Sequence, residues 1–424
     1  MRETIFALSS GAPPAAIAVI RISGPQAGMA LAALAGRLLP ARSPKVRILR
    51  DASGDVLDRA LVLWLPGSAN ATGEDSAEIH AHGGRAVIAA ILSTLGEMAG
   101  LRQAEPGEFT RRAFGNGRID LAEAEGLADL LAAETQLQRS AALAMAGGVF
   151  SRQVEAWRER LLIISAHVET TLDFAEDDDG GADDVPIGAA IAELRGELAA
   201  HLSRPTAETL REGIRVVLAG PPNAGKSTLF NALVEGEAAI TAPEAGTTRD
   251  VLTRPVALDG VPFTFFDTAG LRDDSSDPVE RIGIERAGVA VADADIVLWL
   301  GSEGAGPPGA WEIEAQIDRS TQGKLHARHA VSAVTGAGMD ALRRDLVASA
   351  QMLLPRPGEA ALNQRQRGLI ADAAAALGEA GTQSDALLVA EALRRARLAF
   401  DALLGRTTTE DMLDTLFGRF CIGK

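Results

Sequence analysis

The 424-residue chain has no tyrosine, a single cysteine and only 4% aromatic residues. One thiol, Cys421, excludes an intramolecular disulfide and fits a reducing compartment, so a cytoplasmic location is expected. Basic residues are in deficit: 41 Lys and Arg face 57 Asp and Glu, a formal charge of -16. No broad basic surface is available to neutralise many phosphates at once, so contact with nucleic acid must be local or supplied by a partner. Long apolar runs are also missing, and nothing approaches the roughly 18 continuous apolar residues of a spanning helix. The early run Ile5-Phe6-Ala7-Leu8 is cut by Ser9, Gly11 and Pro13-Pro14 before it can form the core of a secretion signal. Neither export nor membrane insertion is expected.

The composition otherwise is that of a folding chain, 47% hydrophobic and 23% charged. Its length implies roughly two to four domains. Over 1–118, short strand-like runs such as Ile17–Ile22 and Ala60–Leu65 alternate with glycine-proline turns, which reads as an α+β domain. Residues 119–210 turn to Ala, Leu and Glu at helical spacing, interrupted by the acidic loop at Asp177–Asp179, which reads as a solvated turn and not a metal site. Strands and helices alternate over 211–350, and helical pattern returns over 351–424. The fold class is therefore multidomain, α/β with all-α, and the flanking helices suggest that the α/β block is inserted into a helical domain.

The chemistry is concentrated in that block. The strand-like Ile214–Ala219 runs into Gly220-Pro221-Pro222-Asn223-Ala224-Gly225-Lys226-Ser227, and the helix-like Thr228–Leu233 follows. This is a P-loop in its structural context, which a chance glycine turn would lack. Backbone N–H groups from Asn223 to Thr228 would cradle phosphates, Lys226 would reach the β and γ phosphates, and Ser227 would ligate Mg2+. A hairpin is expected from Val251–Leu258 and Val261–Phe266 across Asp259-Gly260, ending at Asp267-Thr268-Ala269-Gly270. Asp267 suits a water-mediated Mg2+ contact, Gly270 a γ-phosphate contact, and Thr248, after Thr247, completion of the Mg2+ shell. These parts in this order read as a GTPase switch. The base-recognition motif is degraded: Ala315-Gln316-Ile317-Asp318 stands where Asn-Lys-x-Asp is expected. Asp318 would accept the guanine N1–H and amino protons, or is an exposed loop carboxylate; Ser332 and Ala333 belong to a loop that meets the guanine carbonyl. Gly301–Gly309 stands where a helix is expected, so this half of the domain looks shortened.

Taken together, Arg21-Ile22-Ser23-Gly24, Thr72-Gly73-Glu74-Asp75, His82-Gly83-Gly84, Pro106-Gly107-Glu108-Phe109, the switch motifs and the terminal Cys421-Ile422-Gly423-Lys424 resemble the tRNA modification GTPases of the MnmE (TrmE) family. The resemblance spans nearly the whole chain. It implies an N-terminal folate-binding and dimerising domain, a helical domain and an inserted Ras-like P-loop GTPase domain. It implies folate, as 5-formyltetrahydrofolate or methylenetetrahydrofolate, held by Arg21, Glu78 and Arg118 with Lys424 nearby; the alternative for Arg21 is an ordinary salt bridge. Leu271 occupies the place of a water-orienting Gln, and the resemblance points to Glu280 for that role, alongside Asp267 and Lys226. It also implies K+ in place of an arginine finger, with Asn223 and Thr247 as ligands and the loop containing Ala242 and Glu244, which departs from the family's usual sequence, contributing carbonyls. Arg249 and Arg272 flank the switches, either stabilising phosphate or the dimer or simply solvated. Cys421 follows a helical tail with an expected capping box at Thr407–Glu410 and is either chemically active or a small hydrophobe.

The implied activity is GTP hydrolysis coupled to installing a carboxymethylaminomethyl or aminomethyl group at C5 of the wobble uridine, U34. The implied partners are GTP, a second copy of the chain, an MnmG/GidA-type FAD protein in a heterotetramer, and tRNA reached largely through that complex. A regulatory GTPase of ribosome assembly is the competing reading, but it would call for a basic RNA-binding appendage that the sequence lacks. A folate-binding scaffold with poor GTP turnover is a third.

Overall fold

The computed structural model describes residues 3–173, 187–235, 252–267, 290–319, 323–407 and 409–424. Two compact units divide them, one made of 1–128 with 401–424 and the other of 129–400.

The first unit is built on six strands: β1 (Thr4–Leu8), β2 (Ile17–Ser23), β3 (Lys45–Arg50), β4 (Val56–Leu65), β5 (Ser76–His82) and β6 (Leu101–Gln103), in the order β3-β4-β5-β2-β1-β6. All pairings are antiparallel except β1 with β6. Side chains alternate across a strand, so Ala18, Ile20 and Ile22 of β2 and Ala77, Ile79 and Ala81 of β5 are buried on one face. The same alternation sends Arg21 and Glu78 to the other face, and the register sets them directly opposite each other. Helices α1 (Ala27–Ala35) and α2 (Arg85–Gly96) close the buried face with Leu31, Leu34, Ile91 and Leu95. After α3 (Glu108–Gly115) and the start of α4 (Leu121–Ala132), a smaller core joins Leu121 to Leu413, Phe417 and Phe420 at the chain's C-terminal end. There the structure corrects one expectation. The last helix runs Glu410–Phe417 with Thr409 at its N-cap and no side-chain capping bond, so the capping box at Thr407–Glu410 does not form. The chain is still turning at Gly405, which packs against Phe114 and Leu121 and delays the helix start.

In the second unit, helices α5 (Gln136–Ala146), α6 (Val149–Asp173), α7 (Ile187–Leu202) and α8 (Ala207–Glu212) precede the nucleotide sheet. The Thr135 hydroxyl and the Gln138 amide form a reciprocal capping box that starts α5. Trp157 of α6 stands edge-on to Phe150 and His201, with ring centroids 6.4 and 4.8 Å away. The sheet then forms from β7 (Ile214–Ala219), β8 (Leu252–Leu258), β9 (Val261–Asp267), β10 (Ile296–Trp299), β11 (Trp311–Ala315) and β12 (His329–Val331), ordered β12-β11-β10-β7-β9-β8. Every pairing is parallel except the β8–β9 edge hairpin. That hairpin turns at Asp259 and Gly260, with φ of 47° and 77°, the two positive values a type I′ turn requires. A parallel sheet buried on both faces needs near-continuous apolar strands, and Ile214, Val216, Val217 and Leu218 of β7 are all fully buried. Helix α9 (Lys226–Val234) and, further on, α10 (Met339–Leu353) pack Leu229, Leu233, Leu342 and Leu346 into the same core. Helices α11 (Gln364–Ala380) and α12 (Ala386–Leu403) follow. A P-loop after the central strand of a parallel sheet with one antiparallel edge is the Ras-like arrangement, and the whole chain is multidomain α/β with all-α segments.

The shortened half expected at Gly301–Gly309 is present. Strands β10 and β11 are joined by turns without a helix. The Trp299 ring lies so close to Gly301 that a Cβ there would sit 2.4 Å from it, and the indole N–H donates to the Ser302 carbonyl at 2.8 Å.

Candidate functional site

From Ala219 at the end of β7 the chain reverses through Gly220–Gly225 into α9. Asn223 and Gly225 take φ of 61° and 90°. The left-handed φ of Gly225 requires glycine, and a Cβ there would lie 2.8 Å from Gln316 Nε2. Lys226, first residue of α9, is buried, and its ammonium donates to the carbonyls of Gly220 and Pro221 at 2.7 and 2.8 Å. A positive charge is thus fixed at a helix N-terminus, where backbone N–H groups and the helix dipole already favour anions. Ser227 and Thr228 are exposed in the first turn of α9. Asp267 ends β9, 4% exposed and in register with Leu218 of β7, so its carboxylate stands beside the strand that feeds the loop.

Two further loops converge on this helix. Past β11 the chain turns at Gln316–Arg319, closed by the Arg319 N–H donating to the Gln316 carbonyl at 2.9 Å. The buried Ser332 hydroxyl, just past β12, donates to Asp318 Oδ1 at 2.6 Å and holds that carboxyl below its usual range. It accepts in turn from the Thr335 N–H at 3.1 Å. Asp318 and Ala333 therefore line one cavity with Gly225, Thr228 and Gln316. An ionised carboxylate only accepts, which matches the N1–H and 2-amino donors of guanine and finds no such pair on adenine. Asp318 is exposed and lines this cavity beside the P-loop from its solvent side.

A second cluster lies in the first unit. Arg21 donates through Nε and Nη2 to Glu78 Oε1 at 3.2 and 3.0 Å. The other Glu78 oxygen lies 3.2 Å from His80 Nε2. The Arg21 guanidinium sits 5.8 Å from the centre of the Phe109 ring, within cation–π range, and the Phe109 N–H donates to the Lys424 carbonyl at 3.2 Å. The structure therefore brings Arg21, Glu78 and the Lys424 backbone together through Phe109. Arg118 is exposed, with its aliphatic stem against Gly73. Cys421 is exposed as well, which removes the reading of it as a buried hydrophobe.

Residues 4–118 match the family model for the GTP-binding protein TrmE N-terminus, and 121–421 match that for the MnmE helical domain. Over 424 residues the chain is 63% identical to the tRNA modification GTPase MnmE of Erythrobacter litoralis, with all of both chains covered. The chain belongs to the MnmE family of GTPases. MnmE relatives of the same description from Novosphingobium aromaticivorans and Zymomonas mobilis are 61% and 50% identical, again with all of both chains covered. The G domain of the T. maritima FeoB iron transporter is similar at 24% identity and a TM-score of 0.24, covering 32% of this chain and 99% of that chain; the Ras-like architecture follows from the sheet order and not from that likeness.

The MnmE motifs singled out in the sequence acquire physical reasons. A Cβ on Gly107 would lie 2.2 Å from the Phe417 carbonyl oxygen, and one on Gly423 2.0 Å from that of Leu8. Both glycines let the C-terminal segment lie flush on its unit. Sequence reasoning missed Arg112, 9% exposed, which donates to Glu74 at 2.9 Å, to Glu108 and the Glu3 carbonyl at 3.0 Å, and to the Ser23 carbonyl at 3.3 Å. Three of its partners, Ser23, Glu74 and Glu108, are scattered through three motifs and Glu3 lies outside them, so only the fold connects them. Ala242, Glu244, Thr247, Thr248, Arg249, Thr268, Ala269, Gly270, Arg272 and Glu280 lie outside the described residues, as does the acidic loop at Asp177–Asp179. Among the described residues no helix is long and apolar enough to cross a membrane.

Proposed function

We propose that this chain is a GTP-hydrolysing tRNA modification enzyme of the cytoplasm that works with an MnmG/GidA-type flavoprotein on C5 of the wobble uridine, taking a one-carbon unit from folate. The observation that carries the reading is 63% identity over the full length of a relative named a tRNA modification GTPase, supported by a P-loop whose buried lysine heads α9 beside a cavity lined by Asp318. In this reading 1–118 binds folate and dimerises, 119–210 and 351–424 form the helical domain, and 211–350 is the inserted GTPase domain.

Lys226 binds and orients the β and γ phosphates at the N-terminus of α9. Asp318, fixed by Ser332, selects guanine. The exposed Ser227 hydroxyl and the Asp267 carboxylate at the end of β9 are oxygen donors that suit Mg2+ and, with Thr248, would hold it; the ion would neutralise charge on the phosphates. K+ would be held by Asn223, Thr247 and carbonyls around Ala242 and Glu244. Glu280 orients the attacking water, a task Leu271 cannot perform, while Arg249 and Arg272 support the switches.

In the first unit, the Arg21–Glu78 pair offers one donor fork and one acceptor to a folate that carries both an anionic glutamate and a pterin hydrogen-bonding edge. Arg118 and Lys424 complete the site, with Cys421 exposed nearby in sequence. The folate supplies the one-carbon unit. The acidic charge of -16 suits an enzyme that reaches tRNA largely through its partner.

The test is calorimetry with 5-formyltetrahydrofolate on the full chain and on Arg21→Ala. The wild type is expected to bind and the variant to lose at least tenfold, the scale of one charge-assisted hydrogen bond. Equal binding by the two would remove the folate assignment.

A further inference from the structure

Gln316 stands where a GTPase with an intact base-recognition motif carries lysine, and the neighbouring Ala315 has no polar side-chain atom to offer. Three observations single the glutamine out. Its φ is 59°, a left-handed conformation uncommon for a residue other than Gly, Asn or Asp. Its side chain lies on the phosphate loop: Cγ, Cδ and Nε2 are the atoms nearest the Cβ position of Gly225, and Nε2 makes a long, exposed contact of 3.5 Å with the Asn223 carbonyl oxygen. The same side chain lines the cavity that also holds Thr228, Asp318 and Ala333. One side chain thus touches the loop that would hold phosphates and faces the pocket that would hold the base.

We propose that Gln316 is a positioning residue that ties the base-recognition turn to the phosphate loop and sets how tightly a guanine nucleotide is held. The inference rests on the GTP-binding reading above. Its physical content is division of labour. Asp318 reads the donor edge of the base and decides which purine binds. The stem of Gln316 covers the pocket between that edge and the loop, and its amide fixes the turn against Asn223. Because the amide is neutral, it holds the loops together without adding charge beside the phosphates, which a lysine at this position would add.

The experiment is calorimetric titration of the full chain with GDP and with inosine diphosphate, both with magnesium, for the wild type and for Gln316→Ala, Gln316→Met and Gln316→Lys. Gln316→Ala is expected to weaken GDP roughly tenfold, the combined scale of a neutral hydrogen bond and a few buried methylenes. Gln316→Met restores the stem without the amide and should recover part of the loss. Gln316→Lys should bind GDP at least as tightly as the wild type. The ratio of GDP to inosine diphosphate affinity should stay constant across the series, because the 2-amino group is read by Asp318. A Gln316→Ala chain that binds GDP like the wild type would overturn the inference, and so would a loss that Gln316→Met and Gln316→Lys fail to relieve. A wild type with no affinity for GDP would instead remove the nucleotide reading itself, and this inference with it.

Discussion

At the scale of single residues, the proposed selectivity for guanine rests on one carboxylate. Asp318 is kept ionised and oriented by the Ser332 hydroxyl at 2.6 Å, so both of its oxygens act as acceptors. In Asp318→Asn one acceptor becomes a donor, which opposes the guanine amino group but complements the carbonyl of xanthine. GTP affinity should fall about a hundredfold, on the scale of two hydrogen bonds to a charged group, and xanthosine triphosphate should become the better ligand. Competition between the two nucleotides in hydrolysis assays reads this directly; unchanged preference for GTP would place base recognition elsewhere. The P-loop was legible in the sequence because its glycine spacing, lysine and hydroxyl are imposed by phosphate chemistry in one contiguous stretch. Asp318 was legible only as one survivor of a four-residue motif, and its hydrogen-bond partner Ser332 was not legible, because it lies 14 residues away and comes beside it only through the parallel pairing of β11 and β12.

Among the elements, α3 organises the first unit more than its eight residues suggest. Arg102 and Arg112 share Glu108, and Arg112 also holds Glu74, whose carboxylate accepts from the buried Ser23 hydroxyl at 2.7 Å. Burial pushes the Glu108 carboxyl up, but the hydrogen bonds from Arg102, from the Glu105 N–H and from Arg112 outweigh it and leave it below the ordinary range. Arg112→Met removes the central cation and leaves two largely buried carboxylates with fewer donors. The expected cost is roughly 3–5 kcal/mol, that of breaking a buried ion pair by losing one partner. Hydrogen exchange should show it as lost amide protection in β2 and β5, and unchanged protection there would reduce the cluster to surface decoration. No periodicity in the sequence reveals such a network, because its members come from β2, the loop before β5, β6 and α3. By contrast, the strands β2 and β4, the hairpin at Asp259-Gly260 and the missing helix after β10 were legible, since alternation, positive-φ dipeptides and glycine-proline runs are local properties. The start of the final helix was misread for the opposite reason: Thr407–Glu410 has capping-box residues, but the packing of Gly405 on Phe114 and Leu121 moves the helix start to Glu410.

For the molecule as a whole, the central proposal is that GTP bound at the P-loop of the second unit drives wobble uridine modification with a one-carbon unit from a folate held by the first. Lys226 is the residue on which that claim bears most heavily, since its buried ammonium is fixed at the head of α9 and no other described residue of the P-loop carries a positive charge. The most direct measurement is mass spectrometry of tRNA nucleosides from cells in which the only copy of this chain carries Lys226→Ala. The account predicts that the C5 modification of the wobble uridine disappears while the variant remains folded and still binds 5-formyltetrahydrofolate. Modification at the wild-type level in those cells would contradict it.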